Sequence, residues 1–101
     1  MFGLFKNKIK EAIKKGAVII DVRTPHEFDS GKVPGSINIP VDRISISVER
    51  IRSMKKPVIV CCESGARSNQ AKNILKSAGI NEVYNGGSWE SVFRITNTLG
   101  L

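Results

Sequence analysis

At 101 residues, with 41% hydrophobic and 25% charged side chains, the chain has the size and balance of one soluble globular domain with a modest core. Two adjacent cysteines and a single histidine exclude a disulfide scaffold and a four-ligand zinc site. The net charge of +7 is spread along the sequence, densest at Lys6, Lys8, Lys10, Lys14 and Lys15, with no interleaved aromatic residues to stack bases, so a solvated helix face is expected and nucleic acid is not a predicted partner.

The first segment places Ile9, Ala12 and Ile13 at helical spacing among lysines, which predicts an amphipathic helix over 1–16 that ends at Gly16 and docks on the core formed by 17–101. The order of residues at Met1-Phe2-Gly3-Leu4-Phe5-Lys6 is not that of a secretory signal, and a cytoplasmic protein is expected. No apolar run approaches the ~20 residues of a membrane span. A β-branched run at 17–22 predicts a strand buried on both faces. Thr24-Pro25-His26-Glu27 then has the form of a capping box, predicting a short helix that stops by Gly31. Lys32-Val33-Pro34-Gly35 reads as a turn, 36–39 as a small strand, and 41–54 as a helical stretch whose stripe is spoiled by Ile46.

Pro57 introduces the strand Val58–Cys62. Ala71, Ile74, Leu75 and Ala78 mark one face of the next helix, with Gly79 as its C-terminal stop. The segment 82–84 reads as a strand, Asn85-Gly86-Gly87 as a turn, and Trp89, Val92, Phe93 and Ile95 as one side of a closing helix. Alternating strands and helices predict an α/β fold, a central parallel sheet of four or five strands with helices on both faces, built as a single domain over 1–101.

Cys62-Glu63-Ser64-Gly65-Ala66-Arg67-Ser68 carries the chemistry. A cysteine at the C-terminal end of a strand, wrapped by a short loop that runs into a helix, faces backbone N–H groups and a helix N-terminus. With Arg67 nearby, these groups favour thiolate over thiol. Gly65 supplies the sharp turn, while Ser64 and Ser68 either hydrogen-bond a substrate or, as expected first, take loop or N-cap roles. Asp21 is expected to pair with a loop or an arginine. Arg23 either points into the cleft to bind anions or pairs with Asp21 or Glu27. His26 is expected in solvent, and Trp89 in the core or at its rim.

Asp21-Val22-Arg23-Thr24-Pro25-His26-Glu27-Phe28, then Gly31-Lys32-Val33-Pro34-Gly35-Ser36-Ile37-Asn38-Ile39-Pro40, then the Cys62 loop, resemble the successive signatures of the rhodanese domain, and Gly86-Gly87-Ser88-Trp89 is similar to its closing motif. The resemblance implies sulfurtransferase chemistry in which Cys62 carries a persulfide. The amides of Glu63, Ser64, Gly65, Ala66, Arg67 and Ser68 would cradle it, and the sulfur would ride on the protein with no metal or organic cofactor. The implied partners are a small sulfur-containing donor or acceptor, or a protein carrying a persulfide. Two departures stand out: Lys32 occupies a position where the family usually has histidine, and acidic Glu63 sits where members that use thiosulfate often carry a basic residue. Two other readings compete. Counted from Cys61, the spacing becomes the Cys-x5-Arg of phosphatases, some of which share the fold; and rhodanese-like domains also occur as inactive binding modules, typically without the loop cysteine.

Overall fold

The computed structural model describes residues 2–101, with side chains from Asn7 onward. The elements run α1 (Phe2–Lys14), β1 (Val18–Asp21), α2 (Pro25–Ser30), β2 (Ile37–Asn38), two 3-10 turns (Val41–Arg43 and Ser45–Ser47), α3 (Val48–Met54), β3 (Val58–Cys62), α4 (Ala66–Ser77), β4 (Val83–Ser88) and α5 (Trp89–Thr98). The strands form one parallel sheet in the order β2-β1-β3-β4. The expected α/β fold is therefore present, with four strands.

β3 lies inside the sheet and every one of its residues is buried, as its unbroken Val-Ile-Val-Cys-Cys run demands. Successive side chains on a strand point to opposite faces. Val58, Val60 and Cys62 accordingly pack with Ile20, Ile44, Ile51, Ala71 and Leu75 on the side covered by α3 and α4. Ile59 and Cys61 pack with Ile9, Ala12, Ile13 and Val92 on the side covered by α1 and α5. The predicted docking of the N-terminal helix follows from this second cluster. β1 departs slightly from expectation: Val18 and Ile19 are only half-buried, and burial is complete at Ile20 and Asp21. Among the described residues no helix is long and apolar enough to cross a membrane.

Two sequence expectations are corrected. The 41–54 stretch is helical but broken: two 3-10 turns precede a helix of only seven residues. The Ser47 hydroxyl donates to the Arg43 carbonyl at 2.8 Å, a local bond of the kind that competes with regular helix, and Ile46 is left 72% exposed. The second correction concerns Asn85-Gly86-Gly87, which is not a turn but the middle of β4. Pairing shifts between Val60/Asn85 and Cys61/Gly87, so that Gly86 is an extra residue in a bulge. A Cβ at Gly86 would lie 2.6 Å from Val92 Cγ2 and 3.0 Å from Ile59 Cγ2. Glycine is needed there because α5 packs directly against the backbone.

Candidate active site

The site forms where β1 and β3 end and the loop between β3 and α4 begins. Gly65 adopts φ +104°, in the left-handed region that glycine tolerates, and serves as the N-cap of α4. That turn folds the chain back over Cys62. The Gly65 amide donates to Cys62 Sγ at 3.0 Å and the Ser68 amide at 3.4 Å, with the Ser68 hydroxyl also 3.4 Å from the sulfur. Burial pushes the Cys62 thiol up; the Ser68 hydroxyl and the amides of Ser68, Gly65 and Ser64 outweigh it, leaving the thiol below its ordinary value. Of the amides from Glu63 to Ser68, those of Ser64, Gly65 and Ser68 act on the sulfur, the last from the first turn of α4. Cys62 itself is 0% exposed, whereas Glu63 and Ser64 are exposed at the lip of the loop.

Of the two roles open to Arg67, holding the loop or meeting an anionic donor, its contacts are those of the first. It forks onto Glu27, Nη1 to Oε1 at 2.7 Å and Nη2 to Oε2 at 2.9 Å, a bidentate clamp between α4 and α2. Glu27 is also the third residue of the predicted capping box: the Thr24 amide donates to its carboxylate, and the Glu27 amide donates to the Thr24 hydroxyl. Arg67 and the Thr24 amide together hold the Glu27 carboxyl down at about 2, and Glu27 in turn raises Arg67. One glutamate thus starts a helix and fastens the Cys62 loop to it.

Arg23 is buried and takes the structural reading. Its Nη2 meets Asp21 Oδ2 at 2.7 Å, its Nε reaches both Asp21 oxygens at 3.0 Å, and the remaining donors go to the carbonyls of Glu27 and Gly31. Its guanidinium carbon lies 5.0 Å from the centroid of the Trp89 ring. Trp89 is half-buried and packs on Gly31, a rim position. His26 is exposed.

Ser68 is the residue whose role changes most. Far from capping a helix, it is fully buried and its hydroxyl donates to Asn85 Oδ1 at 2.6 Å. Asn85 is held in orientation by the Gly87 amide, which donates to Oδ1 at 2.9 Å, and by its own Nδ2, which donates to the Gly65 carbonyl at 3.1 Å. The sequence offered no signal for Asn85 as a brace of the loop; its neighbouring glycines suggested a turn instead. Ala66 is exposed and contributes only the first turn of α4.

Cys61 lies on the opposite face of the sheet, buried among aliphatic side chains, and burial with the nearby Asp21 charge pushes its thiol far up. No loop wraps it. The Cys-x5-Arg register therefore has neither a thiolate nor an arginine free to grip a phosphate.

A family model of the rhodanese-like domain matches residues 5–92. The chain belongs to the rhodanese-like family. Thiosulfate sulfurtransferase GlpE of Pseudomonas syringae pv. syringae is 31% identical over 83 residues, spanning 82% of this chain and 77% of the relative. The protein YqhL of Bacillus subtilis is 35% identical over 85 residues, spanning 81% and 67%. A rhodanese from E. coli, solved with anions, superposes with a TM-score of 0.68 at 33% identity, covering 74% of this chain and 89% of that one. Within this rhodanese-like domain Lys32 makes its own contact, its Nζ standing 4.8 Å above the centre of the Phe28 ring.

Proposed function

We propose that this rhodanese-like domain is a sulfurtransferase that carries a sulfane sulfur as a persulfide on Cys62. The observation that supports it is the convergence of the Gly65 and Ser68 amides on Sγ. Such donors stabilise an anionic sulfur before any substrate arrives. In the first half-reaction the Cys62 thiolate attacks the outer sulfur of a donor; the new S–S bond forms on Sγ, and the electron pair of the broken bond leaves with the donor's remainder. In the second, an acceptor thiolate or cyanide attacks the terminal sulfur, and the S–S electron pair returns to Cys62. Gly65, Ser64 and Ser68 hold the charge in both states, Arg67 and Glu27 hold the loop, and Glu63 faces the incoming partner. Since Cys62 is fully buried, the exposed lip at Glu63 and Ser64 must give way to admit a donor.

The whole chain, α1 included, works as one unit in this reading, in the cytoplasm, with a small donor and acceptor or a persulfide-bearing protein as partners and no nucleic acid. A binding module without chemistry would have no use for a depressed thiol.

Intact-mass measurement after incubation with thiosulfate or inorganic polysulfide tests the proposal. One added sulfur that survives Cys61→Ser and disappears with Cys62→Ser is expected. Loading that requires Cys61, or no loading from any sulfane donor, sinks it.

A further inference from the structure

Beside the catalytic loop lies an open cleft of about 280 Å³ lined by Arg23, His26, Glu27, Gly31, Glu63, Trp89 and neighbours. The charges around it do not balance. Arg23 is spent on Asp21 and Arg67 on Glu27, each through a bidentate contact. What remains is acidic. Glu63, with its side chain 60% exposed, reaches no nearer than 3.9 Å to the already paired Arg23. Glu90, also exposed, lines the same cleft. Lys32, in the sequence beside this rim, sits over the Phe28 ring. A chain of net charge +7 thus presents two carboxylates in the cleft beside the Cys62 loop, Glu63 held only at long range by Arg23 and Glu90 with no ion pair among the described residues.

From this charge arrangement we infer that Glu63 and Glu90 select the sulfur partner: a thiol or persulfide that carries a positive charge within a few bonds of its sulfur. The inference rests on sulfur transfer through Cys62. Two sources share that chemistry, a free aminothiol and a cysteine flanked by lysine or arginine in a protein. A small dianion such as thiosulfate meets like charge at the same lip. The exchange itself is balanced: the partner's thiolate attacks the terminal sulfur, the S–S bond to Cys62 breaks, its electron pair returns to Sγ, and the partner leaves as a persulfide.

The test uses the full chain loaded to completion with inorganic polysulfide, with loss of one sulfur from Cys62 followed by intact mass. Discharge rates are compared for cysteamine against 3-mercaptopropionate, and for a Lys-Cys-Lys peptide against Glu-Cys-Glu, each divided by that thiol's rate with a neutral disulfide. The cationic partner should be faster by roughly tenfold at low ionic strength, the bias shrinking to about twofold near 0.5 M salt. The double variant Glu63→Gln, Glu90→Gln should remove most of the low-salt bias. A bias in the peptide pair assigns a protein cysteine; one confined to the small pair assigns a free aminothiol. Equal or reversed rates in both pairs, or a bias that the double variant leaves intact, overturn the inference alone. Failure of Cys62 to load overturns the sulfur-transfer reading and the inference with it.

Discussion

Replacing Gly86 with alanine tests whether the bulge in β4 exists to let α5 lie against the strand. The added Cβ would sit 2.6 Å from Val92 Cγ2, 3.0 Å from Ile59 Cγ2 and 3.3 Å from the Val60 carbonyl oxygen. All three are buried and belong to the sheet or its covering helix. Overpacking of this kind costs about 1–3 kcal/mol. Val92→Ala alone removes two buried carbons and leaves a hole, which costs about 2 kcal/mol. In the double variant the new methyl at 86 occupies part of the space that Val92 vacates. The contacts with Ile59 and Val60 remain, so the rescue is partial. The double variant should therefore be more stable than the sum of the singles predicts, by about 1 kcal/mol or more. Urea unfolding of the four proteins gives the cycle, and thermal melts should move by roughly 4–8 °C per kcal/mol at this chain length. A Gly86→Ala variant as stable as the parent, or additivity within about 0.5 kcal/mol, would refute the packing argument.

Ser68→Ala removes the hydroxyl that ties the loop to Asn85 and stands 3.4 Å from Cys62 Sγ, so the pH midpoint for alkylation of Cys62 should rise; an unchanged or lower midpoint contradicts that role. Glu27→Gln should lower the melting temperature at neutral pH by weakening the Arg67 clamp and the α2 cap. Because the Glu27 carboxyl titrates at about 2 in the folded chain against an ordinary 4.5, its contribution is complete above pH 4.5 and fades as pH falls toward 2. The gap between variant and parent should therefore close over that window. A gap that stays constant down to pH 2 would mean that the carboxylate charge is not what holds the clamp.

Local chemistry made much of this fold legible. The capping box at Thr24, the C-terminal glycines after α1 and α4, and the apolar run of β3 are short-range signals, and each element appears where its signal stood. Period-two alternation along β3 puts Cys61 on one face and Cys62 on the other, a separation visible only once the strand is in place. Long-range constraints were not legible. Gly86 looks like a turn residue until Val92 is seen pressing on its backbone. Arg67 could hold the loop or meet an anion until Glu27, forty positions earlier, is found in its fork. Asn85 and the buried Ser68 brace the loop through contacts that no spacing in the sequence encodes. The 41–54 stretch failed for a different reason: Ser47 offered the backbone a local partner at Arg43, and no clean apolar stripe outweighed it.

The separation of the two thiols by the thickness of the sheet gives the protein an internal gauge of its own integrity. Neither sulfur can reach the other, so neighbouring positions in sequence cannot quench each other by oxidation while β3 remains paired. Both sulfurs are buried, so a thiol reagent reaches Cys62 as its loop opens, and uptake at Cys61 reports the rate at which β3 itself is laid open.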